Sequence, residues 1–136
     1  MRIRIAVGVA ALAIAPLATS CSINIGDCVD FAGASAKLIG YQAAIVSGEL
    51  NDQELANAQA EVEAARSDVP DGVSDEFNVA ADAFDVFFAE IEVANEDGEI
   101  TDAEWEAAAV AFETDEVNQA FEDMGTWVED NCVPGS

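Results

Sequence analysis

Three cysteines and 28 acidic residues are the side chains through which this chain of 136 residues could do chemistry, because it contains no histidine. The sequence lacks the G-x-S-x-G turn of serine hydrolases, a glycine-rich phosphate loop and the H-E-x-x-H zinc motif. Paired carboxylates can act as acid and base on a glycan, but close pairs are inevitable among so many acidic residues and single out no catalytic site. We therefore predict that the protein is not an enzyme and uses no cofactor.

The first twenty residues have the composition of an export signal. Arg2 and Arg4 precede an apolar run over residues 5–17, which is shorter than the roughly 20 residues that a membrane-spanning helix needs. A basic lead, a short apolar run and small residues at its end are typical of a cleaved signal peptide. We predict a signal peptide over residues 1–20.

The residues around the first cysteine resemble the lipobox of bacterial lipoproteins, in which small residues precede the cysteine that receives the lipid. The sequence matches that pattern at Thr19, Ser20 and Cys21, and it departs from it at Ala18, where Leu or Val is commoner. The resemblance implies a lipid on Cys21 and a place on the outer side of a bacterial cell membrane. Ordinary cleavage followed by secretion is the alternative.

Export would also decide whether the other two cysteines are oxidised. Cys28 and Cys132 lie near the two ends of the mature chain, in what would be an oxidising compartment. We predict a disulfide between them, which would close a loop of roughly 100 residues and stabilise the fold by about 4–5 kcal/mol. Two free thiols available for metal binding or redox chemistry are the alternative.

The mature chain is strongly acidic. All 28 acidic residues follow Cys21, and only Lys37 and Arg66 remain basic, which gives a formal charge of −26. Such a surface repels phosphates, so we predict no nucleic-acid partner. The charge either favours cationic partners or keeps the protein soluble.

Apolar residues recur at helical spacing along the rest of the chain, which predicts an all-α domain over residues 28–132. A tether over residues 21–27 would precede this domain, and a tail over residues 133–136 would follow it. The first helix should end near Gly48 and the second should run from Asp52 to about Arg66, before a break around Pro70. We expect the inward stripe of the first helix to be widened by Ala32, Ile39, Ala43 and Val46. The strongest stripe belongs to the third helix and contains Phe77, Ala80, Phe84, Phe87, Phe88 and Ile91.

The last helical stretch begins at Asp102 and continues to Cys132, with an interruption near residues 113–116, where Thr114 could cap a new helix. No Gly or Pro lies between Phe112 and Val117 to reverse the chain, so we expect a kinked or split continuation. The predicted fold is thus an up-and-down four-helix bundle, in which the first and last residues of the domain lie at the same end.

The stretch 48–63 resembles the stretch 98–113, which suggests two duplicated helical hairpins. In each copy a glycine that can end one helix is followed by a capping box, Asn51 with Glu54 and Thr101 with Glu104. The second copy also resembles an EF-hand calcium loop over residues 93–104, with Asn95, Asp97 and Glu104 at ligand positions. It departs from that family at Val93, where the first carboxylate should stand. We predict helix capping and no metal site, with calcium binding as the alternative.

The C-terminal run over residues 115–132, with Trp127 and Cys132, resembles the small exported helical proteins common in actinobacteria. That resemblance implies a location and a helical fold without a mechanism. We therefore expect a non-catalytic module, lipid-anchored at the cell surface, that binds a protein, peptide or cell-wall partner. A calcium-binding protein and a structural spacer are the alternatives.

Overall fold

The computed structural model describes residues 25–132 and consists of helices joined by short turns, with no strand in that range. The five α-helices are α1 (Ile25–Ser47), α2 (Asp52–Ala65), α3 (Ser74–Ala94), α4 (Asp102–Ala109) and α5 (Asp115–Cys132). The predicted all-α fold is confirmed. None of these helices is long and apolar enough to cross a membrane.

Four helices form the bundle, and the short helix α4 packs mainly against α3. The helix α5 packs against α1 and α3, and α2 packs against α1 and α3 from the other side. The helices α1 and α5 are antiparallel, because a disulfide joins the start of α1 to the end of α5 and Gln42 contacts Asn118. We call the end with Cys28 and Cys132 the proximal end, and the opposite end, with Ser47 and Asp102, the distal end.

The last pass is split, as predicted. The indole nitrogen of Trp105 in α4 lies 2.8 Å from the carbonyl oxygen of Ile45, and the amide nitrogen of Gln42 lies 3.3 Å from the side-chain oxygen of Asn118 in α5. Both contacts fall within about one turn of α1, so α4 does not continue the axis of α5. The side chain of Thr114 accepts a hydrogen bond from the backbone N–H of Val117 and begins α5 as a separate helix.

The core is built around the phenylalanines of α3. Phe84 is fully buried, and its ring centroid lies 4.9 Å from that of Phe112 and 6.3 Å from that of Phe121. Phe31 and Phe77 continue the aromatic packing toward the proximal end at 6.4 Å. The stripe that the spacing of α3 predicts is therefore the centre of the core.

Both copies of the repeated stretch have the same local geometry. Gly48 and Gly98 have φ values of 71° and 92°, a left-handed conformation that glycine adopts without strain. Complete capping boxes follow at Asn51 with α2 and at Thr101 with α4. The predicted capping is confirmed in both stretches.

The predicted tether overlaps the first turn of α1, and the buried stripe of α1 is narrower than the sequence predicted. The helix begins at Ile25, so residues 25–27 of the predicted tether are helical, and Asp27 lies in the first turn, where the helix dipole favours a carboxylate. The expected wide inward stripe is narrow, because Ile39 is 38% exposed, Val46 is 52% exposed and Ala43 is also exposed. A bundle helix buries only the stripe that faces its neighbours. The predicted signal peptide, the lipid on Cys21 and the tail lie outside the described residues.

Candidate functional site

The proximal end is closed by the disulfide between Cys28 and Cys132. Their Cα atoms lie 5.3 Å apart, within the usual range for a disulfide, across a sequence separation of 104 residues. The predicted pairing is confirmed. Because each sulfur is bonded to the other, neither cysteine serves as a nucleophile or a metal ligand here.

A cleft of about 550 Å³ lies beside this disulfide. It is bounded by Trp127 of α5 and by the turn between α2 and α3, which contains Pro70 and Gly72. The indole of Trp127 packs edge-on against Phe31 at 5.5 Å. A Cβ atom at Gly72 would lie 3.0 Å from the indole nitrogen, so the absence of a side chain allows this close approach. The turn is thereby fixed against the end of α5.

A second cleft lies at the distal end, between the two copies of the repeat, and has a volume of about 650 Å³. We call it the distal cleft. Half-buried apolar side chains form part of its wall, and acidic side chains line its edge; the apolar ones are Leu50, Leu55, Ile100 and Trp105, and the acidic ones are Asp52, Glu99 and Asp102. Each copy of the repeat contributes both kinds of side chain, so the cleft is a product of their juxtaposition.

Trp105 is the fixed part of the distal cleft. Its indole N–H donates to the carbonyl oxygen of Ile45 at 2.8 Å, and its ring meets Phe87 edge-on at 5.3 Å. The left-handed turn at Gly48 lies against the same indole, since a Cβ atom there would be 3.8 Å from the indole nitrogen. The same carbonyl oxygen also accepts a hydrogen bond from the backbone N–H of Gly48 at 3.1 Å. Trp105 is thereby held in one orientation.

The loop that resembles an EF-hand places its predicted ligands differently from a calcium site. Asn95 and Asp97 belong to a single 3-10 turn that ends at Gly98. The Oε2 atom of Glu104 accepts hydrogen bonds from the backbone N–H of Thr101 at 2.8 Å and from its hydroxyl at 2.7 Å. These bonds hold the pKa of the Glu104 carboxyl below its usual value. Across residues 25–132 no three His, Cys, Asp or Glu side chains are grouped so as to hold a metal ion.

The two basic residues within residues 25–132, Lys37 and Arg66, are both bound to carboxylates. Lys37 in α1 donates to Glu61 in α2 at 2.8 Å, and this hydrogen bond raises the pKa of the Lys37 ammonium group. Arg66 donates to Asp85 in α3 and lies 3.4 Å from Glu63. The acidic side chains greatly outnumber these two basic residues. The net field of the surface is therefore negative, and it favours a cationic ligand over an anionic one.

The described part of the chain buries almost no polar side chains. Ser35 is the one polar or charged residue that is buried there, and each acidic side chain keeps contact with solvent. Burial is the usual way in which a carboxyl pKa is raised for acid catalysis.

Sequence reasoning did not identify the distal cleft, although the repeat that forms it was visible. The signal that would have located it is the pairing of the two helix starts, since Leu50 and Ile100 occupy equivalent positions. Their meeting in space depends on tertiary packing, which the sequence pattern does not specify.

Searches against protein families, curated proteins and solved structures found no match to this chain.

Proposed function

We propose that this chain is an exported bacterial lipoprotein whose acidic helical domain is a non-catalytic binding module on the outer side of the membrane. In this proposal residues 1–20 are removed, Cys21 carries the lipid, and a short linker connects Cys21 to α1. The domain then binds a protein, peptide or cell-wall component that carries positive charge.

The observation that carries the proposal is the disulfide between Cys28 and Cys132. Structural disulfides persist in oxidising compartments outside the bacterial cytoplasm. A lipobox-like stretch that ends at Cys21 lies immediately upstream of the bridge, and the apolar run before it has the length of a signal peptide. The disulfide and the lipobox-like stretch both favour a location on the outer side of the membrane.

The shape and charge of the distal cleft support a binding role with a cationic partner. The helix α1 contains 23 residues, so its end lies about 34 Å from its start at the usual rise per residue. A lipid attached just before α1 would leave the distal cleft facing away from the membrane. Apolar side chains with carboxylates at the edge suit a segment that contains both apolar and basic residues.

Membrane fractionation with a Cys21→Ser variant tests the anchoring. The full chain should sediment with membranes and partition into detergent, and the Cys21→Ser variant should appear in the soluble extracytoplasmic fraction with its disulfide intact. Recovery of both proteins from the cytosol with reduced thiols would contradict the proposal.

Co-purification from membranes tests the binding role. The wild-type chain should recover the same partner repeatedly, and an Asp52→Asn/Asp102→Asn variant at the edge of the distal cleft should recover less of it. The matched control is Asp75→Asn/Asp82→Asn, which removes the same charge from the exposed side of α3. If no partner is recovered reproducibly, a spacer role replaces the binding role.

A further inference from the structure

The helix α2 contributes the smallest side chains to the core. Its buried residues are Ala58, Val62 and Ala65, and it contains no aromatic residue. Each of the other three bundle helices buries at least one phenylalanine, for example Phe31 in α1 and Phe121 in α5. Because the hydrophobic contribution is roughly proportional to the apolar area removed from water, α2 is the bundle helix with the weakest hydrophobic attachment.

The other three bundle helices are joined to one another without α2. The disulfide links the start of α1 to the end of α5. The ring of Phe31 in α1 contacts Phe77 in α3 and Trp127 in α5. Phe84 in α3 contacts Phe121 in α5 with a centroid distance of 6.3 Å. All of these contacts can persist if α2 moves away.

The packing between α1 and α2 is incomplete. A hollow of about 110 Å³ lies between them, lined by Phe31 and Ala34 of α1 and by Ala64 and Ala65 of α2. Protein cores leave few voids larger than a water molecule, so a hollow at this position marks a loosely packed contact.

Ion pairs connect α2 to both of its neighbours. Lys37 of α1 donates to Glu61 of α2 at 2.8 Å, and Arg66 at the C-terminal end of α2 donates to Asp85 of α3. Both basic residues within residues 25–132 are thus used to hold α2. The side chains of Lys37 and Asp85 are more than half exposed, and exposed ion pairs stabilise a fold only slightly. These links fix the position of α2 but are easily broken.

We propose that α2 is a lid that opens from the bundle while α1, α3 and α5 stay folded. A turn with left-handed Gly48 precedes α2, and extended backbone at Val69 and Pro70 follows it, so both ends have a place where the chain can pivot. Gly72 lies against Trp127, which keeps the start of α3 in place. Local opening of one element at a lower free energy than global unfolding is general behaviour of proteins, and it selects the elements with few buried apolar contacts.

Opening of α2 would dismantle the distal cleft. Asp52 and Leu55 belong to α2, whereas Ile100 and Trp105 on the other wall do not. The cleft is therefore complete only while α2 is closed, and a partner bound there would hold α2 closed, because a ligand shifts an equilibrium toward the state that binds it better. This consequence rests on the proposed function, whereas the opening itself rests on α2 alone.

Amide hydrogen exchange of the full chain, followed by NMR without any partner in low concentrations of urea, tests the opening. The amide of Val62 in the middle of α2 should exchange at least about a hundredfold faster than that of Phe84 in the middle of α3. Its rate should also depend less on urea, because local opening exposes less surface than global unfolding. Equal rates with equal urea dependence at the two amides would overturn the proposal.

A core substitution outside α2 separates local opening from global unfolding. Phe121 lies in α5, which packs against α1 and α3, and its contacts are present whether α2 is closed or open. Phe121→Leu should therefore raise the exchange rate of Phe84 at least about fivefold and leave that of Val62 unchanged. If both rates rise by the same factor, α2 opens only when the whole domain unfolds, and the proposal fails.

A charge substitution tests the role of the ion pair. Asp85→Asn removes the charge that Arg66 binds, and it should raise the exchange rate of Val62 about two- to fivefold. The matched control is Asp82→Asn, which removes the same charge from an exposed residue of α3 that makes no ion pair within residues 25–132. Equal rates of Val62 in the two variants would show that the ion pair does not hold the lid. These measurements need neither a partner nor a lipid on Cys21, so their outcome is separate from that of the proposed function.

Discussion

Removing the disulfide should cost this domain a large part of its stability. Cys28 and Cys132 enclose a loop with a sequence separation of 104 residues. In the chain-entropy model a loop of this length restricts the unfolded state by about 4.7 kcal/mol at 25 °C. Small domains are stable by roughly 5–15 kcal/mol in total, so this one bridge is a substantial share. For a domain of roughly 100 residues, such a loss lowers the melting temperature by about 20 °C.

The assay is urea and thermal unfolding of a Cys28→Ala/Cys132→Ala variant beside the wild-type protein, each with and without dithiothreitol. Without reductant the variant should be less stable by about 4–5 kcal/mol, and with reductant the two proteins should agree to within about 1 kcal/mol. Replacement by alanine avoids placing a hydroxyl at Cys28, which is 5% exposed. The reasoning would be refuted if the variant unfolded at the same urea concentration and temperature as the oxidised wild type.

Three further substitutions and one titration test the packing and the capping. Phe84→Ala should destabilise the domain by about 3–5 kcal/mol in urea unfolding, because it empties the centre of the core, and an effect under about 1 kcal/mol would contradict this placement. Gly33→Ala should raise the free energy of unfolding of a dilute sample by about 0.5–1 kcal/mol, since the new methyl meets nothing, and a loss would show an unseen contact. The lowered pKa of Glu104 in the folded state means that its contribution to stability is complete above the ordinary glutamate pKa of 4.5 and is lost as the pH falls through the folded pKa. Melting of the wild type and Glu104→Gln across this range should therefore converge in acid, and a constant difference would exclude the effect. Calcium calorimetry should give no heat that depends on Glu104 below millimolar concentration, because Thr101 engages its carboxylate, and a Glu104-dependent isotherm would restore the calcium hypothesis.

Apart from the disulfide, the features of the fold that the sequence predicted are those set by local rules. The stripe on α3 could be read because residues three and four apart share one side of a helix, and Phe84 lies at its centre. The helix starts at Asn51 and Thr101 could be read because a capping box has a fixed spacing. The joining of Cys28 to Cys132 followed from the inferred compartment together with the up-and-down topology.

The remaining features depend on contacts between residues far apart in the chain. The hydrogen bond from Trp105 to Ile45 spans 60 positions, and it holds α4 against the end of α1. The distal cleft follows from that placement and has no local signal. On α1 the apolar composition suggested a broad buried stripe. In the structure Leu38 is fully buried, whereas Val46 is 52% exposed. Periodicity alone does not distinguish an apolar side that faces the core from one that faces outward.

The direct test of export and anchoring is mass spectrometry of the protein purified from membranes under conditions that preserve disulfides. The account predicts a chain that begins at Cys21, with the mass of a diacylglyceryl group on that residue and with Cys28 joined to Cys132. A chain recovered from the cytosol that begins at Met1, carries no lipid and has Cys28 and Cys132 reduced would contradict it.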